Sequence, residues 1–186
     1  MTKIFTALEL AAQRHRGQTR KGQKNTPYIN HPINVIVVLS KHDENDDNLL
    51  SAAAMHDVIE DTASTQEEIL TLSDFIKDKF GKEVLDIIIE VTDNKNLSYQ
   101  ERKRLQIINS PYLSVPAKKI KIADKICNIN DLMEDPPIHW PGERKLTYLE
   151  WTIKVIDGAR GINSSLEKTF DDTIKRAYTS FLNKEN

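Results

Sequence analysis

The stretch that most constrains this chain is Leu49-Leu50-Ser51-Ala52-Ala53-Ala54-Met55-His56-Asp57-Val58-Ile59-Glu60-Asp61-Thr62, an apolar, alanine-rich helix that turns acidic at its end. At roughly 100° of rotation per residue, His56 and Glu60 stack one turn apart, with Asp57 and Asp61 on the row beside them. One flank thus carries an imidazole and three carboxylates. Acidic groups near a helix C-terminus oppose its dipole, and the upstream alanines speak for close packing rather than solvent. Three carboxylates so close repel one another unless a cation, or a proton held by a raised pKa, neutralises them. The flank is therefore a costly solvated surface, or a site for metal or acid/base chemistry.

Partners for such a site must come from elsewhere. The segment 17–30, Gly-Gln-Thr-Arg-Lys-Gly-Gln-Lys-Asn-Thr-Pro-Tyr-Ile-Asn, is polar, basic and rich in turn formers, a phosphate-binding loop or simply a solvated one. Gly17 and Gly22 have P-loop spacing, but Gln23 replaces the required lysine and no strand precedes, which excludes a Walker site. His31 precedes Pro32, so it is expected at the mouth of a helix over 33–41, as a cap, a packed core residue or a ligand. The second His-Asp pair, His42-Asp43, lies in a hydrophilic connector that holds nothing rigidly, and His42 is expected to be dispensable. Asp124 sits among Ile120, Ile122, Ala123, Ile126 and Ile129, the apolar face of a helix over 117–132. A buried carboxylate needs a partner. Lys121 or Lys125 is one candidate, and a cation shared with His31, His56 and Asp57 satisfies it better. Cys127 reads as a small core residue rather than a nucleophile.

The remaining elements follow from caps and apolar spacing. A first helix runs from about Thr2 to about Arg16. Asp46 or Asp47 caps the alanine-rich helix, and Ser64 or Thr65 forms a capping box with Glu67 or Glu68. Ser73 is a candidate restart before the stop at Gly81, and Ser98 with Glu101 opens a basic helix whose charges are either a solvated face or a rim that attracts phosphate. Helices over 143–157 and 166–182 close the chain, with His139 exposed in the loop before them. No strand-like alternation of any length occurs, and the chain reads as all-α.

With 186 residues, a net charge of −2, one cysteine and no membrane-length apolar run, the chain is expected to form one domain in a reducing, cytoplasmic setting. No long nucleic-acid partner and no membrane are expected.

Asn30-His31-Pro32, His56-Asp57-Val58-Ile59-Glu60-Asp61-Thr62 and Ile122-Ala123-Asp124-Lys125-Ile126-Cys127-Asn128, in that order, closely resemble the HD-type hydrolase domain of the RelA/SpoT family. The similarity extends through Thr26-Pro27-Tyr28-Ile29, Glu101-Arg102-Lys103-Arg104-Leu105-Gln106 and Tyr148-Leu149-Glu150-Trp151. It implies a single-domain HD helical bundle over 1–186, a small hydrolase-only form similar to the metazoan SpoT homologue and bacterial small alarmone hydrolases. The implied activity is Mn²⁺-dependent hydrolysis of (p)ppGpp, releasing pyrophosphate from the 3′ position to leave GDP or GTP. The matching metal ligands are His31, His56, Asp57 and Asp124. Glu60 and Asp61 match the acidic pair that orients the attacking water or shuttles protons. Arg20 and Lys21 match a loop that packs on the base and contacts phosphate, Asn128 a ribose and site-shaping asparagine, and Arg144 and Tyr148 substrate-side positions. Two departures stand out: the segment 65–80 is longer than its usual counterpart, which could alter the pocket rim or an oligomer contact, and Tyr99 stands where some small members carry lysine. A mixed nitrogen/oxygen shell independently suits Mn²⁺, Fe²⁺ or Zn²⁺. The alternatives are removal of the 2′-phosphate of NADPH at the same site, and a nucleotide-binding sensor without catalysis.

Overall fold

The structure, a computed structural model, describes residues 2–183; the ends of the domain expected over 1–186, Met1 and 184–186, lie outside the described residues. Its elements are α1 (Thr2–Arg14), α2 (Asn30–Ser40), α3 (Asp47–Met55), α4 (Val58–Thr62), α5 (Gln66–Phe80), α6 (Lys82–Val91), α7 (Tyr99–Asn109), a 3₁₀ turn (Ser110–Tyr112), α8 (Val115–Glu134), α9 (Gly142–Asp157) and α10 (Ser164–Leu182). Among the described residues the only extended pairing is an isolated antiparallel bridge, Thr19 with Pro27, which ties the base of the basic loop. The fold is all-α.

Two helices organise the bundle. α3 is buried from Leu49 to Met55 and packs against α1, α2 and α6. Its alanines explain the fit, because Ala52, Ala53 and Ala54 leave room for the close approach of α1, which brings its own buried Ala7 and Ala11. α8 packs against α2, α6, α9 and α10, burying Ile120, Ile122, Ala123, Ile126 and Ile129. Since α2 touches both α3 and α8, residues at its start lie between the two central helices.

Asp46 caps α3 by accepting from the Leu49 amide at 2.8 Å, and Thr65 with Glu68 forms the capping box of α5. Four boundaries differ from the sequence reading. α1 stops at Arg14, and Gly17, at φ +78°, completes the turn that follows. α2 begins at Asn30, which puts His31 inside its first turn rather than ahead of it. α5 is continuous, because Ser73 bonds back to the Ile69 carbonyl at 2.7 Å instead of capping a new helix. The fourth bears on function: the helix expected to run unbroken through Thr62 stops at Met55 and restarts at Val58. Asp57, at φ −99° and ψ −5°, occupies the bridge between helical and turn geometry, so His56 and Asp57 lie at a break.

Candidate metal centre and nucleotide cavity

That break points two side chains inward. His56 is buried, and its Nδ1–H donates to the Ala53 carbonyl at 2.8 Å, which leaves Nε2 facing the cluster with no hydrogen-bond partner. Asp57 Oδ2 lies 3.1 Å from that Nε2 and 3.7 Å from His31 Nε2. From α8, Asp124 Oδ1 lies 3.0 Å from His31 Nε2 and 3.8 Å from His56 Nε2. The donor atoms of His31, His56 and Asp124 all fall within 4.8 Å of one another, a trio that could hold a metal ion; Asp57 reaches both histidines from the other side.

The protonation pattern shows what this cluster lacks. Burial works against charge on His56, yet the adjacent Asp57 carboxylate, with Asp124 beyond it, raises its pKa to about 9. Burial dominates at His31 and keeps that imidazole below its ordinary value. At both aspartates burial is outweighed, at Asp57 by His56 and at Asp124 by Lys125 and His31, so both stay below the usual carboxylate range. Two carboxylates held ionised thus stand beside a buried imidazole nitrogen that has no hydrogen-bond partner. Metal binding requires a neutral imidazole, and a cation in the same place would satisfy the same charge. The residues present fit a divalent ion.

Each carboxylate is also held from behind. Tyr28 Oη lies 2.6 Å from Asp57 Oδ2 and 2.9 Å from Asp61 Oδ2. Asn128 Nδ2 donates to Asp124 Oδ1 at 2.6 Å, and Lys125 Nζ lies 3.1 Å from Asp124 Oδ2. Asp124 therefore has one of the two lysine partners foreseen for it and also lies beside both histidines. Glu60 accepts from the Asp93 amide at 2.8 Å, and burial, aided by the carboxylates of Asp93, Asp57 and Asp61 and opposed by that amide, lifts its pKa to about 7. Asp61 takes Lys95 on its other oxygen.

The cluster opens into a cavity of about 760 Å³, large enough for a nucleotide. One wall is the basic loop, with Arg20, Lys21 and Lys24. The loop is pinned to the end of α8, where Asp135 accepts from the Gln23 and Lys24 amides at 2.8 and 3.0 Å, and Gly22 lies so close that a Cβ there would meet Asp135 Oδ2 at 2.0 Å. Further lining comes from α7, α8 and α9, with Arg102, Lys103, Lys121, Lys125, Tyr148 and Trp151. Lys103 Nζ sits among three aromatic rings, 4.3 Å from Trp151, 5.1 Å from Tyr99 and 5.6 Å from Tyr148. A lining that combines acid and imidazole groups with several cations suits a polyanion bound through a metal.

A model of the HD domain family matches residues 7–141. The chain belongs to the HD domain family. Guanosine-3′,5′-bis(diphosphate) 3′-pyrophosphohydrolase MESH1 of Drosophila melanogaster is 43% identical over 175 residues, 94% of each chain. The protein of the same name from Homo sapiens is 39% identical over 176 residues, again 94% of each. A solved structure, described as a metazoan ortholog of SpoT that hydrolyses ppGpp and plays a role in starvation responses, matches with a TM-score of 0.86 at 41% identity, over 95% of this chain and 96% of that one.

Against this HD domain, the residues singled out from sequence fall into three groups. His31, His56, Asp57, Asp124, Glu60 and Asp61 come together as described. Arg20, Lys21, Asn128 and Tyr148 line the cavity, although Arg20 is bonded to Asp131 at 2.8 Å and to Asn128. Arg144 does not line it: its guanidinium lies over the ring of Trp140 at 4.4 Å, and Trp140 is the lining residue. His42 bonds Ser165 Oγ away from the cluster, His139 is exposed, and Cys127 is buried. The longer segment 65–80 contributes no residue to the cavity, whereas Tyr99 does. Sequence reasoning missed Tyr28, Lys95, Asp93 and Trp151 as parts of the site, and left open which face of the basic helix mattered. The helical spacing of Arg102, Lys103 and Gln106, away from Arg104 and its partner Glu101, was the legible signal for that face.

Proposed function

We propose that this chain hydrolyses (p)ppGpp at the ribose 3′ position, releasing pyrophosphate and leaving GDP or GTP. The observation that carries this reading is near full-length similarity to the 3′-pyrophosphohydrolases MESH1, in a chain whose acidic and imidazole side chains converge at the floor of a cation-walled cavity. The names of those relatives favour it over NADPH dephosphorylation and over a silent sensor.

The metal is Mn²⁺ in this proposal, held by His31, His56, Asp57 and Asp124. When bound, it supplies Lewis-acid polarisation of a phosphate oxygen and lowers the pKa of water. The chain's own groups do the rest. Water adds to the phosphorus joined to the 3′ oxygen, the P–O3′ bond breaks, the 3′ oxygen takes up a proton and pyrophosphate departs. Glu60, half-buried one turn beyond His56 and bonded to the Asp93 amide, takes the proton from water in this reading. Asp61, bonded to Tyr28 and Lys95, shares in that proton shuttle in this reading. Arg20 and Lys21 of the basic loop and Arg102 and Lys103 of α7 bind the diphosphates, and Tyr148 and Trp151 give apolar surface to the nucleoside. The setting is cytoplasmic and the partner is a small nucleotide.

Purified protein with Mn²⁺ and ppGpp should give GDP and pyrophosphate, resolved by ion-exchange chromatography and ³¹P NMR. Intact ppGpp alongside dephosphorylated NADPH under the same conditions would falsify the proposal.

A further inference from the structure

The hydroxyl of Tyr28 lies within hydrogen-bond distance of both a candidate metal ligand and a candidate proton-transfer group. Its hydroxyl oxygen lies 2.6 Å from Asp57 Oδ2 and 2.9 Å from Asp61 Oδ2. The Asp57 oxygen it holds is the same one that faces His56 Nε2 and His31 Nε2 at 3.1 and 3.7 Å. An ionised carboxylate only accepts, and a phenol carries a single proton, so the two carboxylates share one donor.

The ring is fixed on every side. His15, buried at the end of α1, stacks on it with centroids 4.6 Å apart, and the guanidinium of Arg20 lies 5.2 Å from its centre. His15 Nδ1 meets Gln18 Oε1 at 2.7 Å, while Gln18 Nε2 donates to the Asp61 carbonyl at 3.2 Å. The Tyr28 amide donates to the Gln18 carbonyl, and the Tyr28 carbonyl accepts from the His31 amide, both at 2.9 Å. Backbone bonds and ring contacts together hold the hydroxyl between the two carboxylates.

We propose that Tyr28 is a positioning residue: its hydroxyl fixes Asp57 Oδ2 toward the metal position and holds Asp61 in the same grip, so metal retention and proton transfer depend on one phenol. This rests on the metal reading given above. Groups that orient a ligand from behind are typically worth about 10- to 100-fold in metal affinity. Tyr28→Phe keeps the ring, its stacking on His15 and its contact with Arg20, and removes only the donor.

Mn²⁺ binding to metal-free protein by isothermal titration calorimetry reads the effect without turnover. Tyr28→Phe should bind Mn²⁺ about 10- to 100-fold more weakly than wild type, and at saturating Mn²⁺ its kcat on ppGpp should fall while KM changes little. Replacing Tyr28 by 4-aminophenylalanine puts two N–H donors at the same place, one for each carboxylate, and should restore affinity to within about threefold of wild type. Wild-type affinity in Tyr28→Phe, or no recovery with the amino analogue, overturns the proposal. Should Tyr28→Phe fail to show wild-type circular dichroism, the amino analogue decides alone: affinity within about threefold of wild type supports the role, and a loss of about tenfold or more refutes it. Wild-type protein that binds no Mn²⁺ would instead bring down the metal reading itself, a result separable from either outcome for Tyr28.

Discussion

Removing the carboxylate of Asp124 tests the electrostatics of the cluster without any substrate. Lys125 is only 5% exposed, and its ammonium lies 3.1 Å from Asp124 Oδ2, with the ring of Trp151 4.9 Å away as its other close neighbour. Asp124→Ala leaves that ammonium buried and uncompensated, and breaking such a pair from one side costs about 3–5 kcal/mol. The loss has a ceiling, because the lysine can shed its proton: bringing a pKa of about 10.4 down to pH 7 costs about 4.6 kcal/mol. For a chain of this size each kcal/mol moves the melting temperature by about 2–4 °C, so with that ceiling metal-free Asp124→Ala should melt about 6–18 °C below metal-free wild type. Adding Lys125→Met removes the stranded charge and should recover most of that loss, as apolar replacement of buried pairs generally does. Differential scanning calorimetry of the three metal-free proteins reads all of this. An Asp124→Ala protein melting within about 2 °C of wild type, or a double variant no more stable than the single, would show that Lys125 does not depend on Asp124 for its burial.

Glu60→Gln should retain the metal and lose rate, measured as metal content against kcat on ppGpp. It should also change the pH dependence of stability: Glu60 is raised from 4.5 to about 7, so its neutral form stabilises the fold fully below pH 4.5 and that contribution is lost as pH rises through about 7. The melting temperature of metal-free wild type, relative to the Gln variant, should therefore decline across that window. Gly22→Ala would bring a Cβ to 2.5 Å from the Asp135 carbonyl as well as against its carboxylate, so the basic loop must shift. KM for ppGpp should rise while metal affinity stays unchanged. His42→Ala, which loses only a contact with Ser165, should leave metal content and turnover at wild-type levels.

Much of the candidate site was legible because its chemistry conflicts with its setting. An aspartate between isoleucines on α8 and a histidine at the end of an alanine helix both call for partners, and those partners are what the fold brings to them. Tyr28 gave no such signal, since a tyrosine in a polar loop is unremarkable until its hydroxyl is seen between two carboxylates. Arg144, a position carried over by resemblance, sits over the lining residue Trp140, a placement that only the structure gave. The break at His56 and Asp57 was invisible to periodicity, because a turn that keeps the rotation close to helical leaves the apolar spacing almost intact.

Sequence by itself determined the all-α class, the cap at Ser98, the pairs Asp46 or Asp47 and Ser64 or Thr65 from which two further caps are drawn, the close packing of the alanine-rich helix, and the identity of the groups that meet at the cluster. These are local or near-neighbour matters, set by side-chain volume, hydrogen-bonding capacity and apolar spacing along a few turns. Only the tertiary structure decided which oxygen of Asp57 faces the imidazoles, that Lys125 and not Lys121 pairs with Asp124, and that the basic loop is tied down to Asp135. Such choices depend on separations of a few tenths of an ångström between segments up to about a hundred residues apart, and no one-dimensional pattern encodes a distance across the core.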